Sequence, residues 1–187
     1  MRIIAGQFRQ RALVAPKGAA TRPTSSVVRE ALFNICQGYI EDADFLDLYG
    51  GSGAMGLEAL SRGARSATFV ENDSHAIKAL RQNIETLGVK GRAILLPGSV
   101  GTVMNQLHRM GKRYHIIYAD PPYDAHSAVK DLLVYLESKS LLEVGGDLFI
   151  EESLKAPDPQ VDLSKLMLKS HRNYGKSRLS HYVEVQE

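Results

Sequence analysis

A short apolar run that ends in a cluster of glycines constrains the fold of this chain more than any other feature. Phe45–Leu48 (FLDL) predicts a buried strand, Gly50, Gly51 and Gly53 interrupt it, and Met55–Arg62 then follows helical spacing. A strand that turns through glycines into a helix directs backbone N–H groups and the positive end of the helix dipole at whatever lies above the turn. Glycine also has no Cβ that would keep a ligand away from the backbone. The stretch therefore predicts a site for a small ligand.

Apolar strands and helices alternate along most of the chain. Because the predicted strands are nearly continuous apolar runs, they indicate a parallel sheet covered on both faces, and the last two indicate an antiparallel pair. The predicted strands are Phe45–Leu48, Ala67–Val70, Ala93–Leu96, Tyr114–Ala119, Asp147–Glu151, Leu166–His171 and Leu179–Val185, and the predicted helices are Ser25–Tyr39, Met55–Arg62, a helix to Leu87 that Ser74 caps, Val100–Met110 and Ser127–Leu136. In such sheets ligands bind beyond the carboxyl ends of the strands, so we expect the ends of the first four strands to meet in one crevice.

Length and composition limit the class of protein. At 187 residues the chain fits one α/β domain with a modest extension, and no apolar run approaches the ~20 residues of a membrane span. Nothing near Met1 predicts export. Cys36 is the only cysteine, which excludes an internal disulfide, fits a reducing cytoplasm and predicts a buried structural thiol. The histidines show no close pairing, so we predict no metal site.

Basic residues concentrate at the two ends of the chain. Residues 1–29 carry six Arg and Lys residues and no acid, and residues 165–181 carry five more, again without an acid. The first group begins on a predicted hairpin, RIIAG and RALVAP around Gln7–Arg11, whose tip would carry Arg9 and Arg11. This hairpin either grips the backbone of a nucleic acid or is an edge strand that its charges protect from aggregation. The absence of any acid before Glu30 favours the first interpretation.

Glu71 ends the second predicted strand, twenty residues after Gly51. Residues 51–56 (GSGAMG) match G-x-G-x-x-G, and a carboxylate at this distance can accept the ribose hydroxyl groups of an adenosine ligand. A nicotinamide dinucleotide satisfies this pattern as well as any other adenosine ligand does. The glycine motif alone therefore leaves the cofactor open.

Asp120-Pro121-Pro122-Tyr123 follows the fourth predicted strand and narrows the chemistry. Two consecutive prolines remove two backbone donors, which leaves the carbonyls of the strand end without competing N–H groups. An amino group held there can donate to the Asp120 carboxylate and to the Pro121 carbonyl, while Tyr123 can stack on a flat base. The alternative is an ordinary turn, because Asp and Pro are turn formers. The position at a strand end favours a site for an amine carried by a base.

With these motifs the chain resembles the class I S-adenosylmethionine-dependent methyltransferases that methylate amino groups, and more closely the bacterial 16S ribosomal RNA guanine-N2 methyltransferases. The matching segments are RIIAGQFR, TRPTSSVVREALFNI, DLYGGSGAMGLEALSRGA, FVEND, ADPPY and RNYGKSRLSHY. The resemblance implies an α/β, Rossmann-like class I methyltransferase fold, with a seven-stranded, mostly parallel sheet, helices on both faces and an N-terminal β-hairpin extension. It also implies a division into residues 1–23, a basic hairpin and loop that contact RNA, and residues 24–187, the methyltransferase domain.

The resemblance further implies methyl transfer from S-adenosylmethionine to the exocyclic N2 of one guanine, with 16S rRNA, the small ribosomal subunit or an assembly intermediate as the partner. The residues do not reveal an oligomeric state, and a monomer is the default expectation. The residues expected to act on the target amine are Asp120, Pro121, Pro122 and Tyr123. Those expected to hold the cofactor are Asp47, Tyr49, Gly50, Gly51, Gly53, Glu71, Asn72 and Ser99, the last standing where many methyltransferases carry an acid. Those expected to contact RNA are Arg2, Arg9, Arg11, Lys17 and Arg22.

Three other functions remain open from the residues alone. A DNA or RNA adenine-N6 methyltransferase would share D-P-P-Y, although the DNA enzymes usually carry a separate target-recognition region. A nicotinamide oxidoreductase would fit the glycines and Glu71 but would leave D-P-P-Y without a role. An RNA-binding module without enzyme activity would keep the basic ends and would not need the glycine loop.

Overall fold

The computed structural model describes residues 1–16, 26–122, 126–139 and 141–185. The backbone forms two compact units, Met1–Val103 and Met104–Glu187. The predicted domain boundary between residues 23 and 24 lies outside the described residues, as do Lys17, Arg22 and Tyr123. No helix in the described part of the chain is long and apolar enough to cross a membrane.

The first unit is built on parallel strands joined by helices. Its elements are α1 (Ser26–Ile35), a 3-10 turn (Cys36–Gly38), β1 (Asp44–Leu48), α2 (Ala54–Ser61), β2 (Ser66–Glu71), α3 (Ser74–Leu87) and β3 (Ala93–Pro97), after which α4 (Val100–Arg109) begins. β1 and β2 pair in parallel with Phe45 opposite Ala67, and β2 and β3 pair in parallel with Phe69 opposite Leu95. The apolar side chains of β1 and β2 are buried, and Cys36 is buried as predicted.

The second unit combines a parallel pair with an antiparallel hairpin. Its elements are β4 (Tyr114–Ala119), α5 (His126–Ser138), β5 (Leu142–Ser153), β6 (Leu166–Tyr174) and β7 (Ser177–Glu184). β4 and β5 are parallel, β7 is antiparallel to β5, and β6 is antiparallel to β7. The strands follow the order β3-β2-β1-β4-β5-β7-β6 in a seven-stranded sheet. The predicted seven-stranded, mostly parallel architecture is therefore confirmed.

Three predictions are wrong: the strands of the N-terminal hairpin, the N-cap of α3 and the end of α1. The N-terminal hairpin contains a single antiparallel bridge, Arg2 to Ala12, instead of two short strands. The N-cap of α3 is Asp73 and not Ser74, because the Asp73 carboxylate accepts the N–H of Ala76 at 2.8 Å. The predicted helix to Tyr39 ends at Ile35, where the 3-10 turn follows.

The fifth and sixth strands are longer than predicted. β5 begins at Leu142 and not at Asp147, although Gly145 and Gly146 interrupt the apolar pattern there. The pairing of β5 with β4 shifts register between Tyr114 and Ile116, which accommodates those glycines in the strand. β6 extends to Tyr174 and not only to His171, and β7 begins at Ser177, so the turn of the last hairpin is shorter than the gap between the two predicted strands.

The N-terminal segment is attached to α2 through a buried carboxylate. Glu58 is fully buried and accepts the backbone N–H groups of Ile4 at 2.8 Å and Ala5 at 2.9 Å. Arg62 donates to the same carboxylate at 2.9 Å, and Arg29 lies 3.8 Å from it. Because these backbone donors are used by Glu58, they are not available for a strand ladder. This explains why the predicted strands are reduced to one bridge.

Ser61 attaches the turn of the same segment. Its hydroxyl accepts the N–H of Phe8 at 2.9 Å and donates to the carbonyl of Ala5 at 2.6 Å. Its backbone carbonyl accepts the N–H of Gln7 at 2.7 Å. Gly6 has φ of 80°, and a Cβ there would lie 1.9 Å from the Ser61 carbonyl oxygen. The close approach of the two backbones therefore requires glycine at position 6.

In the second unit, Glu137 at the end of α5 receives the backbone that leads into β6. Its carboxylate accepts the N–H groups of Ser164 at 2.6 Å, Lys165 at 2.9 Å and Leu166 at 3.2 Å. Burial acts to raise the pKa of Glu137, but the hydrogen bonds from these residues outweigh it and hold the pKa below its ordinary value. The stabilisation is therefore present above the pKa of the unfolded carboxyl group and is lost as the pH falls through the lower pKa of the folded one.

We expect Glu137→Gln to lower the free energy of unfolding at pH 7 by about 1–3 kcal/mol, since hydrogen bonds to an ionised acceptor contribute about this much. The difference from the wild type should narrow as the pH falls below the ordinary pKa of a glutamate, about 4.3, and towards the lower pKa of the folded carboxyl group. Urea unfolding of both proteins at several pH values measures this difference in the free energy of unfolding. Glu143→Gln, at an exposed position of β5, is the control. A difference that stays constant from pH 7 to pH 3 would contradict the assignment.

Candidate functional site

The glycine turn after β1 is a tight loop of mostly left-handed backbone. Tyr49, Gly51 and Gly53 have φ of 64°, 54° and 79°. The N–H of Gly50 bonds to the carbonyl of Val70 on β2 at 2.9 Å, and the N–H of Gly53 bonds to the carbonyl of Gly50 at 2.7 Å. Gly53 is the N-cap of α2, so the turn passes directly into the helix as predicted. The first N–H groups of α2 have no partner within the helix.

The glycines of the loop serve two different purposes. A Cβ on Gly53 would lie 2.2 Å from a methyl of Leu80, and one on Gly56 would lie 2.3 Å from the ring of Phe69. These two glycines permit the loop and α2 to pack on the apolar core. A Cβ on Gly51 would meet only the carbonyl oxygen of Tyr49, at 3.9 Å. The space above Gly51 is therefore open, and it is the position in the loop at which a ligand can approach the backbone.

Asp47 is a buried carboxylate near the carboxyl end of β1. It is 1% exposed, and its Oδ2 accepts the N–H of Gly56 at 3.0 Å. Gly56 is the third residue of α2, so Asp47 satisfies one of the N–H groups that the helix itself leaves without a partner. The bond supports a role for Asp47 in orienting the loop that leads into α2.

Glu71 holds the loop from the neighbouring strand. Its Oε2 accepts the N–H of Gly51 at 2.7 Å, while its Oε1 accepts the N–H groups of Asn72 and Asp73, each at 2.8 Å. A carboxylate has about four acceptor positions, so about one remains for a ligand. Glu71 is partly exposed and Asn72 is exposed. A single ribose hydroxyl could bond to Glu71 without displacing a backbone N–H.

Ser99 has a structural role in the described residues. It precedes α4, its hydroxyl lies 2.9 Å from the hydroxyl of Thr102, and it accepts the N–H of Thr102 at 3.4 Å. Its carbonyl accepts the N–H of Val103 at 3.0 Å. These contacts are those of a helix N-cap, which accounts for a serine at this position without a ligand.

The Asp120-Pro121-Pro122 segment follows β4 directly in the second unit. Asp120 is partly buried, Pro121 is buried and Pro122 is exposed. Below it, the hydroxyl of Tyr118 donates to Glu151 on β5 at 2.7 Å, and both side chains are buried. This bond fixes the ends of the two strands, so the segment leaves the sheet from a rigid base. Tyr123 lies outside the described residues.

The basic residues of the N-terminal segment are exposed on a fixed backbone. Arg2 donates to the carbonyl of Gln10 at 2.8 Å, and Arg11 donates to the carbonyl of Thr86 at 3.4 Å. Arg9 makes no side-chain hydrogen bond or ion pair within the described part of the chain. Lys17 and Arg22, the remaining predicted RNA contacts, lie outside the described part of the chain.

The described residues contain no group of three or more His, Cys, Asp and Glu side chains that could hold a metal ion.

Asn83 links the N-terminal segment to the glycine loop, and sequence reasoning missed it. It is 1% exposed on α3, and its amide donates to the carbonyls of Ser52 at 2.9 Å and Val14 at 3.0 Å. Its carbonyl oxygen accepts the N–H of Val14 at 2.8 Å. The available signal was its position next to Ile84 and three residues after Leu80, a polar side chain on the apolar face of the helix.

The similarity of this chain to known proteins covers the segments that carry the motifs. The model of a family described as "Conserved hypothetical protein 95" matches residues 1–183. The chain belongs to this family. The Ribosomal RNA small subunit methyltransferase D of Escherichia coli is 36% identical over 161 residues, which cover 86% of this chain and 79% of that protein. The match confirms the resemblance that the sequence motifs indicated.

Two solved structures are similar to this chain over most or all of its length. A candidate methyltransferase from Escherichia coli is similar with a TM-score of 0.85 at 33% identity, covering 100% of this chain and 99% of that one. A candidate S-adenosylmethionine-dependent methyltransferase from Streptococcus mutans has a TM-score of 0.71 at 15% identity, covering 94% of this chain and 52% of that one. The second likeness shows the fold alone, which is that of the class I methyltransferases.

We expect Asn83→Leu to lower the free energy of unfolding by about 1–3 kcal/mol, since a side chain of similar size leaves the buried carbonyl of Ser52 and the partly buried backbone groups of Val14 without their partner. The amide of Val14 should also exchange with solvent faster than in the wild type. Hydrogen exchange measures this, with Gln82→Leu, at an exposed neighbouring position, as the control. If the Val14 amide exchanged at the same rate in Asn83→Leu as in Gln82→Leu, Asn83 would not be what holds the segment.

Proposed function

We propose that this chain transfers a methyl group from S-adenosylmethionine to the exocyclic N2 of a specific guanine in 16S rRNA. The observation that carries the proposal is the kinship, over most of both chains, to a protein named for methylation of small-subunit ribosomal RNA. The open backbone at Gly51 beside the Glu71 carboxylate supports the cofactor, because an adenosine ligand needs both features. The D-P-P segment after β4 supports an amine as the acceptor.

The first unit supplies the residues for the cofactor. S-adenosylmethionine, when bound, supplies the reactive methyl group on its sulfonium. Gly51 admits the methionine part to the backbone, and Glu71 accepts a ribose hydroxyl at its remaining acceptor position. Asn72, exposed at the end of β2, borders the adenine. Tyr49, Gly50 and Gly53 shape the loop, and Asp47 orients it from below. The Ser99 hydroxyl donates to Thr102 and accepts the N–H of Thr102, which leaves one acceptor position for the adenine amino group.

The second unit supplies the residues for the target amine. The Asp120 carboxylate and the Pro121 carbonyl accept hydrogen bonds from the two N–H groups of the exocyclic amino group. These two bonds orient the nitrogen lone pair for attack on the methyl group. Pro121 and Pro122 have no N–H that could compete for these acceptors. Tyr123 stacks on the base. Catalysis then rests on orientation and electrostatics, and the methylated cationic nitrogen loses its proton without a strong base.

The basic residues of positions 1–23 supply RNA contacts in the same proposal. Arg2, Arg9, Arg11, Lys17 and Arg22 bind phosphates, so the affinity falls as salt rises. The target guanine must leave its stack to present its amino group, which is easiest for a nucleotide in a loop. Residues 24–187 form the methyltransferase domain, and we expect it to act as a monomer in the cytoplasm.

Transfer of labelled methyl from S-adenosylmethionine to unmodified 16S rRNA and to small subunits tests the proposal. Nucleoside analysis should find the label in N2-methylguanosine, and the better substrate shows when in assembly the enzyme acts. Label in N6-methyladenosine would replace the proposal with the adenine-specific alternative. No label on either substrate, with S-adenosylmethionine bound, would contradict methylation of ribosomal RNA.

We expect Asp120→Asn to lower kcat by about 10²–10³-fold, since it removes a charged acceptor at the reacting nitrogen. The Kd for S-adenosylmethionine should stay within about twofold, because Asp120 holds the amine and not the cofactor. Asp131→Asn, on the exposed side of α5, carries the same change of charge and should behave as the wild type. A kcat for Asp120→Asn within about threefold of the wild type would exclude this role.

A further inference from the structure

The hairpin of β6 and β7 points its turn toward the carboxyl end of β5. β7 is antiparallel to β5, and Ser177 lies opposite Ser153, the last residue of β5. Tyr174 lies opposite Ser177, so Gly175 and Lys176 form a two-residue turn. Gly175 has φ of 59°, which suits the first position of a type II′ turn. The turn therefore lies at the end of the sheet at which β4 leads into Asp120.

The strand register relates Asp120 to Arg172 on β6. Ala119 lies opposite Ile150, so Asp120 and Glu151 are each one residue further along their strands. Glu151 lies opposite Leu179, and Leu179 lies opposite Arg172. Three steps between neighbouring strands separate β4 from β6 by about 14 Å. Cations at this distance can reach phosphates within a few nucleotides of a base held at Asp120.

The base of the hairpin is fixed by ion pairs that Arg178 forms within the protein. Arg178 lies 3.0 Å from Glu152 on β5 and 3.1 Å from Asp158. The hydroxyl of Ser180 lies 3.3 Å from the same Glu152 oxygen and 2.9 Å from Nδ1 of His171 on β6. The three strands are therefore tied together just below the turn, and the turn is held on a rigid base.

Three other cations near the turn remain available. Lys155, Arg172 and Lys176 are exposed, and in the described part of the chain none of their side chains makes an ion pair or hydrogen bond. The N–H of Leu154 bonds to the carbonyl of Lys176 at 2.9 Å, which holds the turn that carries Lys155 against the hairpin. We call these three residues the hairpin patch. Residues 165–183, which include Arg172 and Lys176, contain no acid, and Glu152 and Asp158 beside the hairpin are paired with Arg178.

We infer that the hairpin patch binds phosphates of the substrate RNA a few nucleotides from the target guanine. The inference rests on the proposed function and assigns RNA contacts to residues outside the N-terminal segment. Arg172 can bind a phosphate through two parallel N–H groups, and Lys155 and Lys176 act as point charges beside it. Because the backbone of the ribbon is already ordered, only the side chains have to be ordered on binding, and phosphate contacts there fix the position of the RNA relative to the Asp120 end of the sheet.

The test compares two double variants that remove the same charge from the same unit. Arg172→Ala with Lys176→Ala alters the patch, and Lys112→Ala with Arg113→Ala alters exposed cations before β4, at the opposite end of the sheet. The Kd for unmodified 16S rRNA is measured against salt concentration for each. Losing two phosphate contacts should flatten the slope of log K against log salt by about 1.4 for single-stranded RNA. The control variant should keep the wild-type slope.

The outcomes separate this inference from the proposed function. Equal slopes for the two variants would overturn the inference, whereas methyl transfer by the wild type tests the function itself. A patch variant that binds naked RNA as the control does, but binds small subunits less tightly, would assign the patch to a protein and overturn the inference. Arg172→Gln with Lys176→Gln provides a second variant, with the same expected slope, if the alanine variant melts early. A wild type that binds neither naked 16S rRNA nor small subunits would overturn both.

Discussion

Two carboxylates that bond to backbone N–H groups determine the shape of the glycine loop. Glu71 holds Gly51 from β2, and Asp47 holds Gly56 from within β1. Without them, a loop of left-handed residues such as Tyr49 and Gly51 would have many accessible conformations, and a ligand would have to order it. Because the carboxylates do this in advance, binding energy is not used for ordering the loop. The same bonds limit Glu71 to about one further acceptor position.

Buried polar side chains connect the loop to the N-terminal basic residues in the first unit. Glu58 and Ser61 hold the segment on α2, and Asn83 joins Val14 to Ser52 in the loop. The basic side chains are therefore presented by a backbone that is attached to the helix beginning at the loop. On the proposed function, this attachment fixes where RNA phosphates lie relative to the cofactor residues.

The strand, glycine turn and helix at Phe45–Gly63 and the parallel sheet could be predicted, because each depends on local spacing of apolar residues and on glycine. The roles of Asn83 and Glu58 could not, since their partners lie 69 and about 54 residues away along the chain. The N-terminal strands were predicted from alternation alone, and the competing acceptor at Glu58 was not visible in that pattern. The capping role of Ser99 could not be predicted, because helix capping and ligand binding favour the same residue type after a strand.

Analysis of 16S rRNA from cells with and without the gene tests the central claim most directly. The account predicts that one fragment loses a single methyl group and that the lost nucleoside is N2-methylguanosine, while every other methylation is unchanged. Restoring the wild-type gene should return the methyl group, and restoring the Asp120→Asn variant should return little of it. Unchanged 16S rRNA, or the loss of N6-methyladenosine instead, would contradict the account.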